Sequence, residues 1–296
     1  MLYRIRHLTH YNYDQPVALC YNHGHLMPRD AAYQQCLESH ITVTPYPINL
    51  QHRTDYFGNK VCYFSVESRH SSLEILVEST VRLNGERTDP GVDLDFGNTC
   101  VEAHKKLRSN KDEETLLARE YVLRSPMIDV SEALREYAVP SFRDNVSLLS
   151  AVRELTHRIY TDFTYQPGST TVATPLNEVL EKRRGVCQDF AHLAIGCLRS
   201  LGFPARYVSG YLETIPLAGT KKLVGSDASH AWFAVYSPGE GWFEFDPTND
   251  NVPTKQHITT AWGRDYSDVT PLRGVIFEGG ASQALTVSVD VERLQR

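Results

Sequence analysis

The 296-residue chain contains no apolar run long enough to span a bilayer, which argues against a membrane-spanning helix or a membrane partner. Neither sign of charge dominates. A net charge of −6, from 30 basic and 36 acidic residues, excludes a general electrostatic pull toward nucleic acid. The six cysteines, at 20, 36, 62, 100, 187 and 197, include no C-x-x-C pair of the kind that holds zinc or carries redox chemistry. No G-x-x-x-x-G-K-[ST] loop is present, nor an internal repeat or low-complexity tract. The opening MLYRIRHLTHYNYD lacks the hydrophobic stretch of a secretory signal and alternates like a strand. A cytoplasmic protein with reduced cysteines is therefore expected. His7-x-x-His10 falls on opposite faces of a strand, and His23-x-His25 has no obvious acidic or thiol partner, so no metal is expected. Asp93-x-Asp95-x-Gly97 lacks the third acidic position and the closing glutamate of a calcium loop. No cofactor is expected either.

What is present is ordinary globular material, 41% hydrophobic and 22% charged. Residues 1–90 read as a β-rich, sandwich-like domain, with strand patterns at Tyr3–Tyr13, Leu37–Thr44, Val61–Glu67 and Ile75–Leu83. A helical connection follows over 91–140, broken at Pro126. The remainder, 141–296, carries helical periodicity at 146–160, 175–182 and 187–201, then strand patterns at 205–213, 230–236, 242–246 and 284–292. Helices followed by antiparallel strands give an α+β unit.

Cys187 stands at the start of the strongest helix, which Gly202 and Pro204 end. Gly185 reads as its N-cap, with Gln188 reaching back to the cap. In a first turn the free amides and the helix dipole favour a thiolate, and Arg183 and Arg184 add positive charge; Asp189 works the other way. Cys197, mid-helix on the apolar stripe, reads as structural.

A thiol nucleophile needs a base. His192 lies roughly 140° around the helix from Cys187 and cannot face it, and His157 reads as a polar-face residue. His230 is better placed, in SHAWFAVY, which forms a hairpin with WFEFDP across SPGEG. If residues 236 and 242 pair, His230 lies diagonal to Asp246; a two-residue slip puts the two opposite. Either way both share one face, while Phe233, Val235, Phe243 and Phe245 share the other. Asp246 would hold the imidazole in one orientation, and His230 would take the thiol proton. The alternative is an exposed polar hairpin face.

The strings GVCQDFAHLAIGCLRSLGFPARYVSGYLET and DASHAWFAVYSPGEGWFEFDPTND resemble the core of the bacterial transglutaminase-like superfamily of papain-like cysteine enzymes. YRIRHLTHYNYDQPV is similar to the β-rich N-terminal region of these proteins, and GRDYSDVTPLRGV to their C-terminal strands. The resemblance implies a cysteine-bearing helix packed on an antiparallel sheet. It implies Cys187 as nucleophile, His230 as base and Asp246 as orienting acid. The Cys187 amide is a natural oxyanion donor. Tyr165 is a candidate for the second donor, Gln188 is weighed and kept as a cap, and Trp232 is placed in the cleft wall. The implied activity is cysteine-dependent cleavage of peptide or amide bonds through a thioester. The alternatives are transfer to an amine, as in a protein-glutamine transglutaminase, and a non-catalytic scaffold. The implied partner is a peptide or protein substrate, selected by loops 166–174 and 214–228 and by the β domain.

Overall fold

The computed structural model describes residues 1–84, 94–214, 228–253, 255–280 and 282–294. Five strands open the chain: β1 (Leu2–Gly24), β2 (Gln34–Thr44), β3 (Asn49–Thr54), β4 (Lys60–Val66) and β5 (His70–Leu83). Strict alternation makes β5 a half-buried strand, with Leu73, Ile75, Val77 and Val81 inward and Glu74, Glu78 and Arg82 outward. The long β1 is central, pairing antiparallel with β5 along its first half and with β4 along its second. The sheet curls into a half-barrel around an apolar filling that includes Val17, Leu26, Phe64 and Ile75.

Short helices follow: α1 (Cys100–Ser109), α2 (Glu113–Ala118) and α3 (Glu132–Ala138), with Pro126 in the gap before the last. Thr99 and Glu102 close a reciprocal capping box on α1, which sets its start. Then come α4 (Leu148–Asp162), α5 (Leu176–Lys182) and α6 (Cys187–Ser200). Two-residue strands β6 (Thr164–Tyr165) and β7 (Arg184–Gly185) pair in parallel just before α6. The stripe Phe190, Leu193, Ala194, Cys197 and Leu198 is buried, but so are Ala191 and Ile195 on the far side. Hence α6 is the central helix of the core, packed between a sheet and α3, α4 and α5.

That sheet orders β8 (Ala205–Leu212), β9 (Ala228–Ser237), β10 (Gly241–Phe245) and β11 (His257–Gly263) as β10-β9-β8-β11. Together with the β-rich first domain this is the α+β architecture, a cysteine-bearing helix on an antiparallel sheet. Phe233, Val235 and Phe245 face α6 as expected. β11 has no counterpart among the strands read from the sequence.

The last strands, β12 (Arg273–Glu278) and β13 (Gln283–Leu294), hydrogen-bond to β1 rather than to the core sheet with which the sequence grouped them. The reason is an open edge. β5 covers only one side of the first half of β1, and β13 covers the other, burying Val289 and Val291 beside Tyr3 and Ile5. The boundary at 90, Asp93 and most of the 214–228 loop lie outside the described residues.

Candidate active site

Cys187 opens α6 and lines a cleft of about 470 Å³ between the core and the N-terminal sheet. The helix start differs from the expectation. Gly185 is held in the β6–β7 bridge, its carbonyl accepting from Gln166 N at 2.9 Å, so the chain stays extended through Val186 and that residue is the N-cap. The cap is closed not by Gln188 but by Asp189, whose Oδ2 accepts from Val186 N at 2.8 Å and from Thr170 Oγ1 at 2.6 Å. Burial raises the Asp189 pKa while these two donors lower it. Glycine is required at 185 for a reason other than capping: a Cβ there would meet the Asp189 carboxylate at 2.7 Å. Arg183 turns away from the thiol, its guanidinium lying over Tyr137 and Phe163 at 4.7 and 4.8 Å.

The β9–β10 hairpin pairs Tyr236 with Trp242 and Phe233 with Phe245, the first of the two registers considered. Beyond Phe245 the chain doubles back, with Asp246 and Asn251 exchanging backbone hydrogen bonds. This turn delivers Asp246 to the imidazole: His230 Nε2 donates to Asp246 Oδ2 at 2.7 Å. Oδ2 also accepts from His257 Nε2 at 3.0 Å and Asn249 Nδ2 at 2.7 Å, and Oδ1 accepts from the amides of Thr248 and Asn249. Asp246 is fully buried, and burial alone would raise its pKa; His230 and His257 instead hold it well below the usual carboxylate range. Burial works against a charged His230 as well, yet Asp246 and a hydrogen bond with Cys187 push its pKa up to about 10. With Nε2 committed to Asp246, Nδ1 is the nitrogen left for the thiol.

The other candidates fall in different places. Tyr165 pairs with Gly185 two residues before the thiol and is 52% exposed; its hydroxyl pKa is raised by burial and by Cys187. Gln188 lines the cleft. Trp232 is fully buried, so it cannot form a wall that substrate touches. It backs His230 instead, with ring centroids 5.9 Å apart at 29°, and its Nε1 donates to Glu244 at 2.9 Å. His192 accepts from Tyr266 N inside the core, His157 binds Asp250 on the surface, and Cys197 is buried with its thiol pKa pushed up to about 12.

Two residues escaped the sequence reading. His257 lies on β11, whose β-branched run His257-Ile258-Thr259-Thr260 is a usable strand signal. Tyr207, on β8, also lines the cleft, its pKa raised well above the ordinary value by burial first and Cys187 second. Among the described residues, His230, Asp246 and His257 are also the group that could hold a metal ion. Their present geometry is that of two imidazole N–H groups bonded to one carboxylate oxygen. His25, by contrast, bonds Thr270 O and Asp55.

Comparison with known proteins agrees with this architecture. Residues 3–82 match the bacterial transglutaminase-like N-terminal region, and residues 136–247 match the transglutaminase-like superfamily. An uncharacterized protein of Mycobacterium tuberculosis is 41% identical over 293 residues, covering 98% of this chain and 92% of its own. A crystal structure titled "Putative Cysteine Protease" from Cytophaga hutchinsonii shares the fold, with TM-score 0.77 at 23% identity over 100% of this chain and 91% of that one. The expected cytoplasmic location finds no support in these comparisons, and the solved structures matched at lower similarity include the periplasmic domain of TgpA from Pseudomonas aeruginosa (TM-score 0.37, 17% identity, 82% of this chain and 89% of that one). Two matched regions in the right order, together spanning well over half of the sequence, leave a single assignment: the chain belongs to the bacterial transglutaminase-like superfamily.

Proposed function

We propose that the protein cleaves peptide or amide bonds through a thioester on Cys187, with His230 as the base and Asp246 as the orienting acid. Membership of the superfamily supports thiol-dependent hydrolase or acyltransferase chemistry in general. The observation that carries the finer reading is the buried His230–Asp246 bond, which leaves Nδ1 for a cysteine at a helix start on a cleft. In the reaction His230 Nδ1 takes the thiol proton before the attack, as its raised pKa favours, and Cys187 Sγ then bonds to the substrate carbonyl carbon. The Cys187 amide stabilises the oxyanion at the N-terminus of α6. His230 then passes its proton to the leaving amine as the C–N bond breaks. Water attacks the thioester, losing a proton to His230, which returns it to the departing sulfur. Trp232 and His257 position the pair from behind.

Iodoacetamide labelling at mildly acidic pH, mapped by mass spectrometry, tests the thiol. Rapid modification of Cys187 alone, slowed in His230→Ala, is the expected result. Equal and slow reaction of all six cysteines would leave only the scaffold reading. An amine acceptor offered with a glutamine peptide separates hydrolysis from transamidation, since only a transglutaminase incorporates it.

A further inference from the structure

The wall of the cleft opposite Cys187 belongs to the N-terminal sheet, and cross-strand register sets its composition. His7 pairs with Val289, Thr9 with Val287 and Tyr11 with Leu285, so all six side chains share one face of β1 and β13 and all six line the cleft. Farther along the same face, Ile5 and Val291 are sealed in the core. Burial then falls away toward the cleft mouth: Val289 is 1% exposed, Val287 48% and Leu285 54%. An apolar stripe therefore emerges from the core directly into the space in front of the thiol.

His7 and Thr9, on this wall, are neutral and already engaged. Tyr211 OH donates to Leu26 O at 3.1 Å, so it must accept from His7 Nδ1 at 3.0 Å, and His7 Nε2 in turn accepts from the Thr9 hydroxyl at 2.9 Å. Burial keeps His7 uncharged, pushing its pKa down to about 4. Among the described residues lining the cleft there is no Asp, Glu, Lys or Arg.

We propose that this face of β1 and β13 is the side-chain subsite of the acyl donor, selecting an uncharged aliphatic or aromatic residue at the carbonyl that Cys187 attacks. The proposal rests on the thiol reading above and gives the N-terminal domain a direct part in specificity. An apolar side chain completes the contact that Val287 and Leu285 leave open. A lysine or aspartate side chain meets no counter-charge on this face, since His230 across the cleft is committed to Asp246, and it sheds part of its hydration. The cavity volume is in the range that takes a small ligand.

The test uses N-acetyl-leucyl, N-acetyl-lysyl and N-acetyl-aspartyl chloromethyl ketones, which place the side chain beside the attacked carbonyl, with iodoacetamide as the unguided control. The leucyl reagent is expected to modify Cys187 about 10-fold faster or more than either charged one. In Val287→Glu, and separately in Leu285→Glu, the leucyl-over-lysyl preference falls when each rate is divided by that protein's own iodoacetamide rate. Both positions are half exposed on an edge strand, so a glutamate is accommodated there. If Cys187 reacts selectively with iodoacetamide but equally with all three ketones, or if neither glutamate variant moves the preference, the subsite is wrong and the thiol reading stands. If Cys187 fails to react selectively with iodoacetamide, the thiol reading falls and takes the subsite with it.

Discussion

A carboxylate buried as completely as that of Asp246 must find its compensation on the spot, and at this residue five donors supply it. Stability should therefore depend on pH in a defined direction. Asp246, with its pKa depressed in the fold, contributes stability above its unfolded value near 4 and loses it as pH falls toward the folded one. His230, raised to about 10, contributes fully below its unfolded value near 6.5 and loses that contribution as pH climbs toward 10. The two shifts describe one bond. The thermal advantage of wild type over Asp246→Asn should thus be full between about pH 4 and 6.5 and clearly smaller at pH 9. Melting both proteins at pH 5.5 and 9 checks it, and an advantage that grows toward pH 9 contradicts the assignment. His257 shares this carboxylate and was missed because the histidines were judged against the cysteine, not against the acid.

At the scale of elements, the sheet behind the imidazole tolerates no added atom at Gly210. This residue pairs with His230 across β8 and β9, and a Cβ on it would lie 2.1 Å from Ile258 O on β11 and 2.6 Å from Trp232 Cη2. The backbone oxygen cannot withdraw, so Gly210→Ala must shift β11 or the indole that backs His230. Overpacking of this kind costs about 1–3 kcal/mol. Calorimetry should show Tm lowered by several degrees together with slower alkylation of Cys187. An unchanged Tm would mean the strands absorb the methyl group freely. Elements governed by local pattern were legible in the sequence: α6 from its apolar stripe, and the β9–β10 hairpin from its alternation and glycine turn. Parity put His230 and Asp246 on one face, but the turn beyond Phe245 that brings the carboxylate to the imidazole had no signal in the alternation. What was not legible depended on contacts distant in sequence. Gly185 looked like a cap because capping glycines are common, whereas its role comes from an aspartate four residues on and a bridge to Tyr165. The last strands were assigned by sequence order, and the open edge of β1, some 280 residues earlier, decided their place.

Across the whole molecule, the two sheets meet at β11, the last strand of the core sheet, and side chains take the part of a missing neighbour. Gln34 donates to Thr259 O and accepts from Thr259 N, both at 2.8 Å. Asn59 donates to Trp262 O at 2.8 Å and accepts from Trp262 N at 3.0 Å. Arg29 covers the Trp262 ring, and Arg206 stacks between that ring and Trp242. Each amide thus pairs with an N–H and a C=O of a buried edge, where Arg29 N adds a second donor to Thr259 O at 3.3 Å. Gln34→Leu or Asn59→Leu keeps much of the volume but removes the amide partner of Thr259 N in the first case and of Trp262 N and O in the second, at a cost of about 1–3 kcal/mol per group stranded. Because β11 also carries His257, the loss should reach the Asp246 carboxylate and not stop at the domain junction. Either variant is therefore expected to melt several degrees lower in one cooperative transition, with slower His230-dependent labelling of Cys187. Two separate transitions with the labelling rate intact would instead mean that the N-terminal sheet and the core are energetically independent. In that case the clamps would only hold the two parts together, and the catalytic geometry would be set within the core alone.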